Sequence, residues 1–208
     1  MIKEACVEGI SQALRAQELG ANRIELCENL AVGGTTPSLG TVITCKRLLK
    51  IPVIAMIRPR GGNFIYSPEE IDTMLADIRA FGEAGVDGIA TGALTPDRKV
   101  DLNVLRQLLQ EAGSMQVTFH KAIDEAADLL GEFSRLTSTS ILRVLTSGGA
   151  PTAFEGREVL NKMIALASGK ITIVVAGKVM AENLQQLAAL IPTHEFHGKK
   201  IVGDLMQP

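Results

Sequence analysis

The chain has 208 residues, 46% of them hydrophobic, and a formal net charge of −2, which fits one globular domain over residues 1–208. With 21 basic against 23 acidic residues, 3% aromatic residues and no tryptophan, no nucleic acid partner is expected. No apolar run reaches the roughly 20 residues of a membrane span, and the N-terminus lacks a signal peptide's apolar stretch, so a cytoplasmic protein without a membrane partner is expected.

Short apolar segments alternate with longer amphipathic segments along the whole chain. The short segments predict eight strands, at residues 3–7, 23–28, 52–57, 87–91, 115–120, 141–146, 171–176 and 194–197. The longer segments predict seven helices, at residues 11–19, 38–49, 68–84, 102–112, 125–137, 153–168 and 180–190. The third helix has the clearest start, because Ser67 can cap it, Pro68 suits its first position and Glu70 can complete a capping box.

This alternation of strands and helices implies a parallel sheet, and eight units favour a closed (β/α)8 TIM barrel over an open doubly wound sheet. Segments that follow helices are short ("GAN", "GVD", "GSM"), whereas those that follow strands are long and polar ("NLAVGGTTPS", "RPRGGNFIYS"). The carboxyl ends of the strands are therefore the expected ligand-binding end of the barrel.

The chain ends about ten residues after the eighth strand, which is too short for a full eighth helix with its connection. An uncovered wall would expose apolar side chains of the flanking helices, and symmetric association would bury them, so a homodimer or higher homo-oligomer is expected. The residues expected in that patch are Ile10, Leu14, Leu187 and Leu190. Alternatively, the tail folds back and covers the gap with Ile201, Val202 and Leu205.

Alternation within each strand assigns side chains to the lumen or to the helices. The residues predicted to face the lumen are Glu4, Cys6, Glu25, Cys27, Met56, Arg58, Thr118 and His120. The residues predicted to face the helices are Ala5, Val7, Ile24, Leu26, Ala55, Ile57, Val117 and Phe119. Charged groups inside a barrel can pair as a structural network. A lumen with two acids, two thiols, an arginine and a histidine favours a ligand site.

The segment "RIELCEN" places Glu25 and Cys27 on the same face of one strand. The carboxylate should raise the pKa of the thiol by like-charge repulsion unless Arg58 or a metal ion compensates. A thiolate that awaits a soft cation tolerates this neighbour, whereas a catalytic nucleophile at neutral pH does not.

Several long motifs run almost from end to end: "EACV", "GANRIELCENLAVGGTTPS", "MIRPRGGNFIYSPEE", "TFHKAID", "RVLTSGG" and "EFHG". In these motifs the chain resembles the CutC family, which is associated with copper homeostasis. The resemblance implies a (β/α) barrel, and it implies Cu(I) ligands at Cys6 and Cys27, which align with the family's two strand-borne cysteines. The chain departs from the family pattern at Lys121, where arginine is common, and at Lys178, where a longer glycine-rich run is usual.

The chemistry of copper agrees with this assignment. Cu(I) is soft and prefers thiolates, and neighbouring parallel strands lie about 4.8 Å apart, so two side chains can converge on one ion. The competing interpretation is that Cys6 and Cys27 are small buried hydrophobic residues. Cys45, by contrast, lies on a predicted amphipathic helix and is expected to pack in the core.

The alternative function is a TIM-barrel enzyme that acts on a small anionic or sugar-like substrate. Guanidinium groups hold anions bidentately, glycine-rich turns can offer backbone N–H groups, and a lysine can supply charge. The candidate anion-binding residues are Arg58, Arg60, Ser147, Gly148 and Lys178. Plain turn geometry explains the glycines equally well.

His120 is the candidate general acid or base of that enzyme, with Glu25 or Glu4 as its partner. The competing interpretation is a core histidine whose hydrogen bonds are satisfied within the protein.

Overall fold

A computed structural model describes residues 1–206 and shows a closed barrel of eight parallel strands, each beside its neighbour in the chain, with β1 paired to β8. The strands are β1 (Ile2–Glu8), β2 (Arg23–Cys27), β3 (Val53–Met56), β4 (Gly88–Thr91), β5 (Gln116–Phe119), β6 (Arg143–Thr146), β7 (Thr172–Val175) and β8 (Glu195–Gly198). The TIM-barrel prediction is confirmed.

Seven α-helices lie within residues 1–206, so the predicted lack of an eighth helix is also confirmed. They are α1 (Gly9–Glu18), α2 (Leu39–Leu48), α3 (Pro68–Glu83), α4 (Leu102–Ala112), α5 (Leu129–Leu136), α6 (Arg157–Ala167) and α7 (Leu184–Leu190), and short 3₁₀ helices occupy Leu30–Val32 and Lys121–Glu125. None of the helices in this part of the chain has the length and apolarity needed to cross a membrane.

Local side-chain contacts explain where the helices start. At α3 the Ser67 hydroxyl accepts from the N–H of Glu70, and the Glu70 carboxylate accepts from the N–H of Ser67, which completes the predicted capping box. Helix α5 starts later than predicted, because Lys121–Glu125 forms a 3₁₀ helix and Asp128 caps the α-helix that follows. Helix α7 also starts late, because Asn183 bridges the backbone of the preceding turn.

The two faces of the strands contribute to separate apolar clusters. The outer cluster, between strands and helices, contains all eight residues predicted to face the helices. A smaller inner cluster consists of Cys6, Cys27, Ile54, Met56 and Ala90. The lumen and helix faces predicted from alternation are therefore confirmed, and both thiols face the lumen.

The segment after β8 covers the wall that lacks a helix. Ile201 is 1% exposed and Leu205 is 8% exposed, and both belong to the outer cluster, against which Val202 also packs. The prediction of an exposed patch at Ile10, Leu14, Leu187 and Leu190 is wrong as a whole: Leu187 is buried, Ile10 and Leu14 are half-buried, and Leu190 is exposed. The tail supplies the apolar contacts that a second copy was expected to supply. A homo-oligomer therefore stays a prediction, but the exposed patch no longer supports it.

Replacing Ile201 with alanine is expected to lower the free energy of unfolding by about 2–3 kcal/mol, because the change leaves a cavity between the tail and the barrel. Urea unfolding followed by circular dichroism measures the loss. Ile43→Ala on α2 is the matched control, because Ile43 is 50% exposed and should lose less than about 1 kcal/mol. Equal losses in the two variants would show that the tail does not seal the barrel.

Candidate metal centre

Ion pairs fill the amino-terminal end of the lumen. The Glu195 carboxylate accepts from Arg23 Nη2 at 2.6 Å and from Arg143 Nε at 3.0 Å, and each of these three residues is the first of its strand. Arg23 also donates through Nε to Glu4, which lies deeper in the barrel. These charges compensate one another, so this end of the lumen is a structural network.

Glu4 connects this network to His197. The Glu4 carboxylate lies 2.8 Å from Nδ1 of His197, and the register pairs these two residues directly across β1 and β8. Burial alone would raise the pKa of Glu4, but His197 and Arg23 outweigh it and lower that pKa to about 2. Glu4 is therefore an anion held on two sides.

Glu25 lies at the centre of a second group of contacts, next to both lumen thiols. Its Oε2 atom is 3.6 Å from Cys6 Sγ, 3.5 Å from Cys27 Sγ and 3.7 Å from His197 Nε2. The register explains the arrangement: Glu25 pairs with Cys6 across β1 and β2, and Cys27 follows two residues later on the same face. One ligand atom from each of Cys6, Glu25 and Cys27 lies within 4.8 Å of the other two.

The two thiols have different electrostatic surroundings. The pKa of Cys6 is lowered well below its usual value because Cys27 donates a hydrogen bond to it and His197 lies nearby, although burial opposes the shift. The pKa of Cys27 is raised because it keeps the proton shared with Cys6, and burial and Glu25 add to this. The cluster thus favours one thiolate, at Cys6.

His197 is the cation that stabilises this thiolate. Burial acts to lower the pKa of His197, but Glu25, Cys6 and Glu4 outweigh it and raise that pKa well above its usual value. The pKa of Glu25 is raised to about 8, first by burial and then by the negative charges of Cys6 and Glu4. Glu25 raises the pKa of Cys27, as predicted. Within the described residues, His197 rather than Arg58 offsets the negative charge of the cluster.

This donor set fits a soft metal ion. Metal–sulfur bonds are about 2.3 Å long, so sulfurs less than 4.8 Å apart can both reach one ion with little movement. His197 presents Nε2 to the Glu25 carboxylate, which lies between the thiols, while Nδ1 contacts Glu4, the arrangement in which a carboxylate orients a metal-binding histidine. Gly34 closes the site over Cys27, since a Cβ there would lie 3.2 Å from the sulfur.

A cavity of about 510 Å³ opens at the carboxyl end of the strands, above this cluster. Cys6, Glu25 and His197 line its inner part, and its wall is largely apolar. The apolar lining residues are Leu30, Met56, Phe64, Leu145, Ala176, Val179 and Met180. Four lysines also line it: Lys121, Lys178, Lys199 and Lys200. Cys6 can therefore be reached from the mouth.

The two arginines of "IRPRGG" hold loops in place. The Arg58 guanidinium donates to the carbonyls of Val32, Gly34 and Gly62 at 2.8–3.0 Å and lies 4.7 Å from the centroid of the Phe64 ring. Arg58 lines the cavity, but three of its N–H groups are already used.

Arg60 does not line the cavity. Its guanidinium binds the Glu70 carboxylate, with Nε 2.5 Å from Oε1, and also donates to the carbonyls of Gly61, Asn63 and Ile65. The structure thus separates Arg60 from His120 and Arg58, and Arg60 orients the start of α3.

The glycine-rich turn after β6 binds a carboxylate of the protein itself. The N–H groups of Ser147 and Gly149 donate to Asp124 at 3.1 Å and 2.8 Å, and the Thr146 hydroxyl also donates to it. The N–H of Gly148 donates to the Thr146 hydroxyl at 2.9 Å. Asp124 therefore takes the place that the sequence interpretation gave to an external anion.

Of two lysines on the rim of the cavity, one is paired with a carboxylate and the other is not. Lys121 donates to Ser147 Oγ at 2.6 Å and pairs with Asp124. Lys178 is exposed, has a left-handed φ of 56° and forms no ion pair with a residue that the structure describes. Of the predicted anion-binding residues, Arg58 and Lys178 line the cavity.

His120 lines the cavity as a neutral imidazole. Burial and the positive charge of Arg58 lower its pKa to about 3. Its Nδ1 atom accepts from the N–H of Ala122 at 3.3 Å, which leaves the ring proton on Nε2, and Nε2 has no hydrogen-bond partner among residues 1–206.

Cys6, Cys27 and Glu25 face the lumen together, as alternation along the strands predicts, whereas His197 was not among the predicted site residues. The signal was available: alternation along residues 194–197 puts His197 on the lumen face, and closure of the barrel puts the eighth strand beside the first. Cys45 is buried in the outer cluster, as predicted.

Known proteins share this fold and sequence. A copper homeostasis protein cutC homolog of Homo sapiens is 40% identical over 196 residues, covering 94% of this chain and 72% of the human protein. A family protein CutC of Xylella fastidiosa is 41% identical over 194 residues, covering 93% of this chain and 73% of that protein. The crystal structure of CutC from Streptococcus agalactiae has a TM-score of 0.92 and 33% identity, covering 97% of this chain and 99% of that one. The family model described as CutC family matches residues 1–202, and the chain therefore belongs to the CutC family.

Proposed function

We propose that this protein binds Cu(I) between Cys6 and Cys27 and serves copper homeostasis in the reducing cytoplasm. One observation carries the proposal: two buried sulfurs on adjacent strands lie within 4.8 Å of each other at the inner end of an open cavity. Cu(I) is the soft ion that such a pair of sulfur ligands favours. Relatives named for copper homeostasis support the same assignment.

The surrounding charges suit a monovalent ion. Two thiolates and one Cu(I) leave a single negative charge, and the imidazolium of His197 lies close enough to offset it. If His197 instead releases its proton, its Nε2 atom becomes a third ligand with Glu4 behind it. Zn(II) also accepts sulfur, nitrogen and carboxylate ligands, so it is the ion against which selectivity has to be measured.

Reduced, metal-free protein is expected to bind about one Cu(I) per chain in a competitive titration against a chromogenic Cu(I) chelator. Cys6→Ser and Cys27→Ser should each abolish binding, because one sulfur cannot hold the ion against the chelator. Zn(II) should compete only weakly.

Cys45→Ser is the matched control and should bind copper like the parent protein, since Cys45 lies in the outer cluster. Circular dichroism establishes that each variant is folded. Loss of binding in the Cys45 variant alone, or binding that survives in both lumen variants, would contradict the proposal.

The alternative function, an enzyme with a small anionic or sugar-like substrate, is favoured by the cavity at the barrel mouth. The acid–base groups support it less well. A pKa of about 3 makes His120 a weak base at neutral pH, and Glu4 is held as an anion by His197 and Arg23. We therefore place Cu(I) binding first.

A further inference from the structure

The mouth cavity holds a charge asymmetry that the copper proposal does not use. Five lining side chains carry fixed positive charge, namely Arg58, Lys121, Lys178, Lys199 and Lys200, whereas Glu25 is the one carboxyl group among the described lining residues. The whole chain has a net charge of −2, so this concentration of positive charge is local. A cleft lined by one sign of charge raises the local concentration of ligands of the opposite sign.

Two of these ammonium groups have no carboxylate partner within the described part of the chain. Lys199 donates only to the backbone carbonyl of Leu30, at 3.3 Å, and Lys178 makes no ion pair. Lys178 also has a left-handed backbone, which costs a residue with a side chain about 1–2 kcal/mol relative to glycine. This lysine stands on the rim at a position where glycine would be less strained.

A buried donor without a partner lies on a different part of the cavity lining from these lysines. Lys178 and Lys199 follow β7 and β8, whereas His120 follows β5 and its ring packs 5.0 Å from that of Phe64. The Nε2–H group of His120 meets no acceptor in residues 1–206, and the side chain is 3% exposed. Buried polar groups are nearly always hydrogen-bonded, so an unpaired donor on a residue that lines the cavity marks a place where an acceptor is expected.

The space between the two ends is apolar. Phe64, Leu145, Ala176 and Val179 form its wall, and about 510 Å³ lies within the range of small-molecule sites, roughly 300–1,000 Å³. We propose that this cavity binds a small amphipathic organic anion. Its anionic group contacts Lys178 and Lys199, its carbon chain crosses the apolar wall, and an oxygen at the far end accepts from His120. This inference is independent of Cu(I) binding.

Three probes that differ at one end each test the proposal on copper-free, reduced protein. They are 6-oxoheptanoate, which has a carboxylate and a distant carbonyl; heptanoate, which lacks the carbonyl; and methyl pentyl ketone, which lacks the carboxylate. NMR chemical-shift titration gives the three dissociation constants. The keto acid should bind about three- to ten-fold more tightly than either control, the gain expected from one added hydrogen bond or exposed ion pair.

Two variants connect each end of the probe to a residue. Lys178→Gly should reduce the preference for the keto acid over the ketone, because one of the two ammonium groups that contact the carboxylate is lost. The melting temperature should stay unchanged or rise, because the substitution relieves the left-handed backbone. His120→Asn keeps an acceptor for the Ala122 N–H, but its shorter side chain places no donor at the position of the imidazole Nε2, so it should remove the preference for the keto acid over heptanoate.

Lys162→Met on the exposed face of α6 is the control for charge and should change none of the three affinities. Equal binding of all three probes, an unchanged preference in both site variants, or no saturable shift up to about 10 mM would overturn the proposal. Because no copper is present, these outcomes do not depend on whether Cys6 and Cys27 bind Cu(I).

Discussion

Replacing Arg23 with methionine is expected to lower the free energy of unfolding by about 3–5 kcal/mol. Arg23 is 4% exposed and contacts two carboxylates, those of Glu4 and Glu195. Its removal leaves the buried Glu4 and the half-buried Glu195 with only His197 and Arg143 as cationic partners. Methionine fills similar space without charge, so loss of packing contributes little. Urea unfolding at pH 7 measures the change.

The exposed pair between Arg79 and Glu111 provides the control. The Nε and Nη2 atoms of Arg79 donate to the two carboxylate oxygens of Glu111 at 3.0 Å and 3.2 Å, but the Arg79 side chain is 61% exposed. Arg79→Met should therefore cost less than about 1 kcal/mol. Similar losses in the two variants would mean that the lumen charges are solvated and that the lumen network does not hold the barrel together.

The fold could be predicted from the sequence because its signals are local. Period-two alternation identifies the strands and their faces, and the capping box at Ser67 fixes the start of α3. The predicted start of a helix is wrong where side-chain contacts give the preceding loop a structure of its own. Residues 121–128 follow β5 as a 3₁₀ helix and a capping turn, and no hydrophobic pattern distinguishes these from the first turn of a helix.

The site was only half predictable, because its other half is assembled from distant segments. His197 and Glu4 are 193 residues apart and meet only because the barrel closes. The carboxylate of Asp124 binds the turn after β6, and Arg58 donates to carbonyls of the loops after β2 and β3. Both side chains therefore bind partners within the protein, and the sequence pattern does not reveal these partners. A pattern of residue types indicates which groups face the lumen, whereas the partners of each group depend on the folded loops.

Lowering the pH from 7 to 4 is expected to cost the protein about 3 kcal/mol of folding free energy through His120 alone. Burial and Arg58 lower the pKa of this histidine from 6.5 to about 3 in the folded state. Below pH 6.5 the unfolded chain takes up a proton at this position and the folded chain does not. The folding free energy that depends on neutral His120 is therefore fully present above pH 6.5 and is lost progressively as the pH drops towards 3. Urea unfolding at pH 7, 6, 5 and 4 measures the slope.

His120→Asn removes the titrating group while keeping an acceptor for the Ala122 N–H, so the variant should lose less stability than the parent over the same range, by about 1.4 kcal/mol for each pH unit below 6.5. Buried carboxylates cannot produce this difference, because Glu4 and Glu25 are the same in both proteins. If the parent and the His120 variant lose stability in parallel, then His120 takes up its proton in the folded barrel as readily as in the unfolded chain, and neither burial nor Arg58 lowers its pKa.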